Sequence, residues 1–187
     1  MANASELESF RAAKDKFYAR DHRAPLTAAQ QRGFKGLSYF PENTTLVIKA
    51  RIDRKVEPGI VRMETTKGEQ QDYRRYGVVH LEVDGRPARM TLFASGRSHR
   101  LFLPFRDATS GKETYGAGRY LDLDADGDEV LVDFNYAYNP NCAYNSDWSC
   151  PLPPAENWLA VPIRAGEMTF QDQASDSDHA HDRSQRS

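Results

Sequence analysis

With 187 residues, 39% of them hydrophobic, the chain can bury a core without crosslinks, and its length suggests one folded domain. Its 25 basic and 27 acidic residues leave a net charge of −2, so no global field draws it to nucleic acid or to an anionic membrane. Two cysteines are too few for a disulfide-built secreted scaffold, no apolar run reaches the roughly 18 residues that span a bilayer, and MANASELESFRAAKDKF lacks the apolar stretch of a secretory signal, which together lead us to expect a cytoplasmic protein.

Residues 5–19 have a helical period, with Leu7, Phe10, Ala13 (or Lys14) and Phe17 on one narrow apolar stripe. Ser5 and Glu8 have the spacing of a capping box. Thr27 and Gln30 repeat that spacing, and the second helix they open should stop near Gly33. From residue 45 the period becomes two. Leu46, Ile48, Ala50 and Ile52 alternate with Val47, Lys49 and Arg51 and predict a half-buried strand. Val61 and Met63 begin another, and Lys67-Gly68 turns the chain into 70–76. In GVVHLEVDGRPARMTLFAS, Val79, Leu81 and Val83 run out to an Asp84-Gly85 turn, and Met90 and Leu92 return. Residues 100–105, 117–122, 129–136 and 158–164 add four strand candidates. The fold expected is mainly β, an antiparallel β-barrel or sandwich with one or two short N-terminal helices packed outside. The chain divides into an N-terminal helix and connector (1–25), a β domain (26–170) and a tail (171–187). The tail holds no large apolar residue and is expected to be disordered.

Two stretches concentrate chemical groups. The first, LFLPFRDATSGKETYGAGRYLDL (101–123), crowds Arg106, Asp107, Thr109, Ser110, Thr114, Tyr115 and Arg119 between glycines. Arginines fork onto carboxylates or phosphates, and glycines let backbone approach a ligand. The order Gly111-Lys112-Glu113 excludes a P-loop. The second, DFNYAYNPNCAYNSDWSCPLPPAENWLAVPIRAGE (133–167), is a long connection rich in Tyr, Trp, Asn and Pro. Asn135, Tyr138, Asn139, Asn145 and Asn157 have the make-up of a polar site with aromatic walls. The competing reading makes both stretches structural, with Tyr136, Trp148 and Trp158 plugging one barrel end.

Cys142 and Cys150 admit three states: buried thiols, a disulfide, or two zinc ligands completed by His80 or His99. Asp122, Asp124, Asp126 and Gly127 fit the start of a calcium loop. The flanks read as strands, and position twelve is Asp133 rather than glutamate, so a polar hairpin explains the same letters. No cofactor is indicated.

These two stretches, with the upstream QQRGFKGLSYFPEN and YRRYGVVHLEVDG, resemble the signature of a bacterial and archaeal family, domain of unknown function 1684. The resemblance covers about residues 26–167. It departs where Asn141 replaces a second proline and in the DADGDE hairpin. It implies that Arg106, Asp107, Arg119, Asn139, Cys142, Cys150 and Glu167 belong to the signature, and it implies no activity. The leading expectation is therefore a small-molecule-binding β-barrel with an anionic ligand, held by Arg106, Arg119 and hydrogen bonds from Thr109, Ser110, Thr114, Tyr115, Asn135, Tyr138, Asn139 and Asn157. The alternatives are a hydrolase, with Cys142 or Ser110 as nucleophile and Asp107 or Asp133 in acid–base work, and an interaction protein with no pocket chemistry.

Overall fold

A computed structural model describes residues 5–57, 59–94 and 100–172. Both capping boxes form. Ser5 Oγ accepts from the Glu8 N–H and Thr27 Oγ1 from the Gln30 N–H, while each partner side chain accepts from the cap backbone. They open α1 (Glu6–Arg20) and α2 (Ala28–Gly33). The apolar stripe of α1 differs from expectation. Leu7 and Tyr18 are the buried side chains, whereas Phe10 and Phe17 are 41% and 36% exposed. The cause is long-range polar docking. Arg11 donates to the Phe40 carbonyl at 3.1 Å, Lys14 pairs with Glu167, and Asp15 accepts from the Leu37 N–H at 3.0 Å. Those contacts rotate Tyr18, rather than Phe17, onto Tyr144.

Among the described residues eight strands follow: β1 (Val47–Asp53), β2 (Ile60–Glu64), β3 (Gln70–Val83), β4 (Arg86–Ala94), β5 (Leu101–Phe105), β6 (Arg119–Leu123), β7 (Ala125–Asp126) and β8 (Glu129–Asp133). All pairings are antiparallel, in the order β6-β5-β4-β3-β1-β8-β7, with β2 on β3. Short connections account for the runs β2-β3-β4-β5-β6 and β7-β8, whereas β1 joins the two runs by pairing out of sequence with β3 and β8. The β3–β4 hairpin turns on Asp84 (φ +50°) and Gly85 (φ +71°), two left-handed residues whose twist matches the flanking strands. β3 is long enough to serve two neighbours. Its first half pairs with β2 and its second with β1, and the register shifts at Tyr76, between Arg75 and Gly77. Gly77 is crowded, because a Cβ there would sit 2.5 Å from Ile52 Cγ2. The bulge and this close approach bend the sheet, as barrels require.

The sheet curls into a nearly closed barrel, and its end strand β6 approaches β8 without pairing with it. Val79, Leu81, Met90, Leu92, Leu103, Leu121, Val132 and Phe134 fill the inside. A second apolar cluster of Met63, Phe93, Phe102 and Tyr120 packs on the outer face. The expected strand at 158–164 does not form, although its apolar residues alternate. Pro162 has no N–H to donate, and the segment is held by irregular bonds instead. Leu159 N–H donates to the Arg106 carbonyl at 2.8 Å, and Ile163 N–H donates to the Asp107 carboxylate. Residues 134–136 likewise close a 3₁₀ turn instead of extending β8. Among the described residues, no helix is long and apolar enough to cross a membrane. His99 and the tail from residue 173 lie outside the described residues.

Candidate functional site

The two polar stretches lie in direct contact. Arg106 N–H donates to the Asn157 carbonyl at 3.1 Å, Ala108 N–H to the Val161 carbonyl at 3.1 Å, and Tyr120 and Tyr138 exchange backbone bonds at 2.9 and 3.0 Å. Together they cap one region of the barrel, and most of their polar groups bond one another.

Arg119 is wholly buried. Its guanidinium donates to the carbonyls of Ala165, Glu167 (3.1 Å) and Ile163 (2.7 Å), lies 3.6 Å from Asp107, and rests over the Phe105 ring. Burial pushes its pKa down, and the carboxylates of Asp107 and Glu167 pull it back up. Asp107 is buried as well and accepts from Thr109, Ser110 and the Ile163 N–H. Thr109 also bonds Thr114. Asn157 donates to the Thr91 and Pro104 carbonyls and accepts from the Thr91 N–H at 2.7 Å. It thereby stands in for a strand that would otherwise pair there. Asn135 braces Asn43 and Asp133. Asn139 takes up Glu167 and the Met168 carbonyl through its backbone N–H and side-chain amide. Arg106 stacks on Trp158, its centre 4.8 Å from the ring. Trp148 and Trp158 are 40% and 55% exposed, so neither plugs the barrel. Of the ten residues expected to hold a ligand, Tyr138 lines a groove of appreciable size; Ser110, the nucleophile candidate, bonds Asp107 rather than an imidazole.

That groove is the barrel seam. Where β6 and β8 fail to pair, a groove of about 490 Å³ opens, lined by Glu6, Phe10, Arg100, Leu121, Asp122, Leu123, Asp124, Leu131, Asp133, Tyr136 and Tyr138. Tyr138 Oη donates to Asp122 at 2.8 Å, and burial with the nearby Asp122 carboxylate raises its pKa. Asp133 caps the 3₁₀ turn that carries Tyr136. Arg100 donates to the Asp122 carbonyl and pairs with Asp124 at 3.4 Å. Leu131 is 54% exposed on an outward strand position. Sequence reading missed Glu6, Phe10, Arg100, Leu131 and Tyr136. An exposed leucine at an outward position of a strand was the one visible signal.

A second arrangement joins Cys142, on a 3₁₀ turn, to Cys150, which lies beside the end of β2. Both are free thiols, Cys142 partly exposed and Cys150 buried. The Cys142 N–H donates to Cys150 Sγ at 3.3 Å, and Tyr115 Oη donates to Cys142 Sγ at 3.7 Å. Cys150 N–H donates to Thr66 Oγ1 at 3.2 Å, and Thr66 N–H donates to the Cys150 carbonyl at 2.9 Å. Hydrogen bonding from Cys150 brings the Cys142 thiol down to about 6. Burial opposes this, and Tyr115 and Thr66 assist it. The same hydrogen bond and burial push Cys150 upward.

Asp122, Asp124 and Asp126 stand along β6, β7 and the link between them, with Gly127 in the turn, an ordinary polar hairpin. Asp122 and Asp124 bond Tyr138 and Arg100 respectively, and among the described residues no three His, Cys, Asp or Glu side chains converge for a metal. His80 lies on β3, beside Arg51 and Arg54.

A sequence model of a family described as "protein of unknown function (DUF1684)" matches residues 32–168. No curated protein matches. The chain is also similar, at 36% identity and a TM-score of 0.68, to the solution NMR structure of an uncharacterized protein of Haloarcula marismortui, over 88% of this chain and 92% of that one.

Proposed function

The chain belongs to this family of proteins of unknown function, and from its barrel and seam we propose that it binds a small molecule in the groove between β6 and β8. One observation carries the reading: a groove of about 490 Å³ with aromatic walls and ionised groups at its rim. That volume falls in the range of about 300–1,000 Å³ usual for ligand pockets. Among the described residues that line it, four carboxylates (Glu6, Asp122, Asp124 and Asp133) face one guanidinium, Arg100. Phe10, Tyr136 and Tyr138 add three π faces. Acid and aromatic together favour a small organic cation over the anion the arginines suggested.

An anion is the second reading, at a different place. Arg51, Arg54, Lys55 and His80 line a groove beside β1, where Arg54 is already paired with Asp128. Thermal unfolding with choline, tetramethylammonium, phosphate and acetate separates the two readings. A ligand at a hundred times its Kd adds about 2.7 kcal/mol, which raises Tm by about 5–10 °C in a chain of this size. We expect such a shift with the organic cations and its loss in Leu131→Arg, which crowds the groove from an exposed position. A cation shift that survives Leu131→Arg, or shifts with anions only, would defeat the proposal.

A further inference from the structure

The two cysteines take no part in the groove. They are eight residues apart in sequence and hydrogen-bonded to one another in space. Their surroundings are asymmetric in a way that suits sequential chemistry. Cys142 is the partly exposed residue of the pair, and its sulfur receives the Tyr115 hydroxyl. Cys150 is buried and clamped to Thr66 through both its backbone groups. A peroxide can therefore reach one sulfur, and the second waits beside it. Reactive thiols are accessible, with the anionic form stabilised by donors, whereas structural thiols are buried and without them. Cys142 meets the first description. Its acidity, near 6, agrees with the geometry.

We propose that Cys142 and Cys150 form a two-cysteine redox site that a hydroperoxide converts to an intramolecular disulfide, Cys142 attacking and Cys150 resolving. In the first step the Cys142 thiolate attacks the terminal oxygen of the hydroperoxide. A sulfur–oxygen bond forms, the oxygen–oxygen bond breaks, and the departing alkoxide takes a proton to leave as an alcohol. Cys142 is then a sulfenic acid. In the second step Cys150 attacks that sulfur. The sulfur–sulfur bond forms, the sulfur–oxygen bond breaks, and the hydroxide leaves as water with the Cys150 proton. The thiol pair loses two electrons and the peroxide gains them. Two equivalents of a low-molecular-weight thiol reverse the change and depart as their own disulfide. Tyr115 is a positioning residue here, because its hydroxyl holds the Cys142 sulfur.

The test uses the full chain, reduced and freed of reductant. One equivalent of hydrogen peroxide is added, the reaction is quenched with N-ethylmaleimide, and the denatured protein is weighed. We expect both thiols to be blocked to the reagent, a mass lower by two hydrogens, and a peptide joining Cys142 to Cys150. In Cys150→Ser the sulfenic acid should persist on Cys142 and be trapped by dimedone. In Cys142→Ser peroxide consumption should fall at least about tenfold, since the attacking sulfur governs the rate, and Cys150 should stay alkylatable. Serine keeps the shape and hydrogen bonding of each site, and a matched urea midpoint checks folding. Two free thiols after peroxide treatment, oxidation of Cys142 to a sulfinic acid with no disulfide, or a bond between two chains would each overturn the proposal. None of these outcomes bears on the groove, which is probed by ligands.

Discussion

Replacing Arg119 with methionine keeps most of the side-chain volume and removes the guanidinium. Three backbone carbonyls, of Ala165, Glu167 and Ile163, then lose their donor, and the buried Asp107 carboxylate loses the cation 3.6 Å away. The arginine is 0% exposed, so water cannot replace any of these bonds. A buried ion pair broken on one side costs about 3–5 kcal/mol, and a stranded buried acceptor costs about 1–3 kcal/mol. The contributions overlap, so we expect a loss of about 5 kcal/mol, a large share of the roughly 5–15 kcal/mol that holds a domain together. In urea, with a slope of about 2 kcal/mol per molar, the midpoint should drop by about 2.5 M. Adding Asp107→Asn to Arg119→Met should restore part of the loss, because the stranded charge disappears. A loss under about 1 kcal/mol, or a double variant no more stable than Arg119→Met, would refute the assignment of Arg119 as a brace between the barrel and the segment 163–167.

Alkylation of Cys142 should follow the thiolate, which grows as pH rises through the thiol's pKa. The rate should reach half its plateau near pH 6, against about 8.5 for an unperturbed cysteine. Cys150→Ala removes the chief hydrogen-bonding partner, so the midpoint should move upward, and a midpoint unmoved near 6 would count against that partner. Gly77→Ala places a methyl 2.5 Å from Ile52 Cγ2 and 3.0 Å from the Asp53 carbonyl. We expect a cost of about 1–3 kcal/mol from this overpacking, read as a lower urea midpoint, and an unchanged midpoint would show that β1 and β3 can separate freely there.

The comparison of sequence and structure divides by distance along the chain. Ser5 with Glu8 and Thr27 with Gln30 act across three residues, so both helix starts were legible. Asp84-Gly85 demanded a left-handed turn, and the alternation of Val79, Leu81 and Val83 identified the side of β3 that meets the core. Alternation misled at 158–164, where Leu159, Val161 and Ile163 are a barrel-filling segment without a ladder. It misled because apolar side chains report burial and not the partner of the backbone. The stripe of α1 failed for a related reason. Phe17 and Tyr18 differ by one position, and the choice between them rests with Lys14 reaching Glu167 across 153 residues.

The polar stretches show the same division more sharply. Their density of Arg, Asp, Thr and Asn was plain, but the same residue types that grip a ligand also brace a loop. Arg119 finds its carbonyls 44 to 48 residues away, and Asn157 finds Thr91 across 66. Cys142 and Cys150 lie close in sequence, yet no spacing rule said that Tyr115 would donate to one and Thr66 anchor the other. The sequence by itself determined the mainly β class, the helix caps, the tight turn and the inward faces of the strands, because each rests on neighbours a few residues apart. Only the tertiary structure decided which polar groups satisfy one another, where the barrel leaves its seam open, and what surrounds each thiol. Those outcomes depend on pairings between distant segments, and local chemistry permits many such pairings before packing selects one.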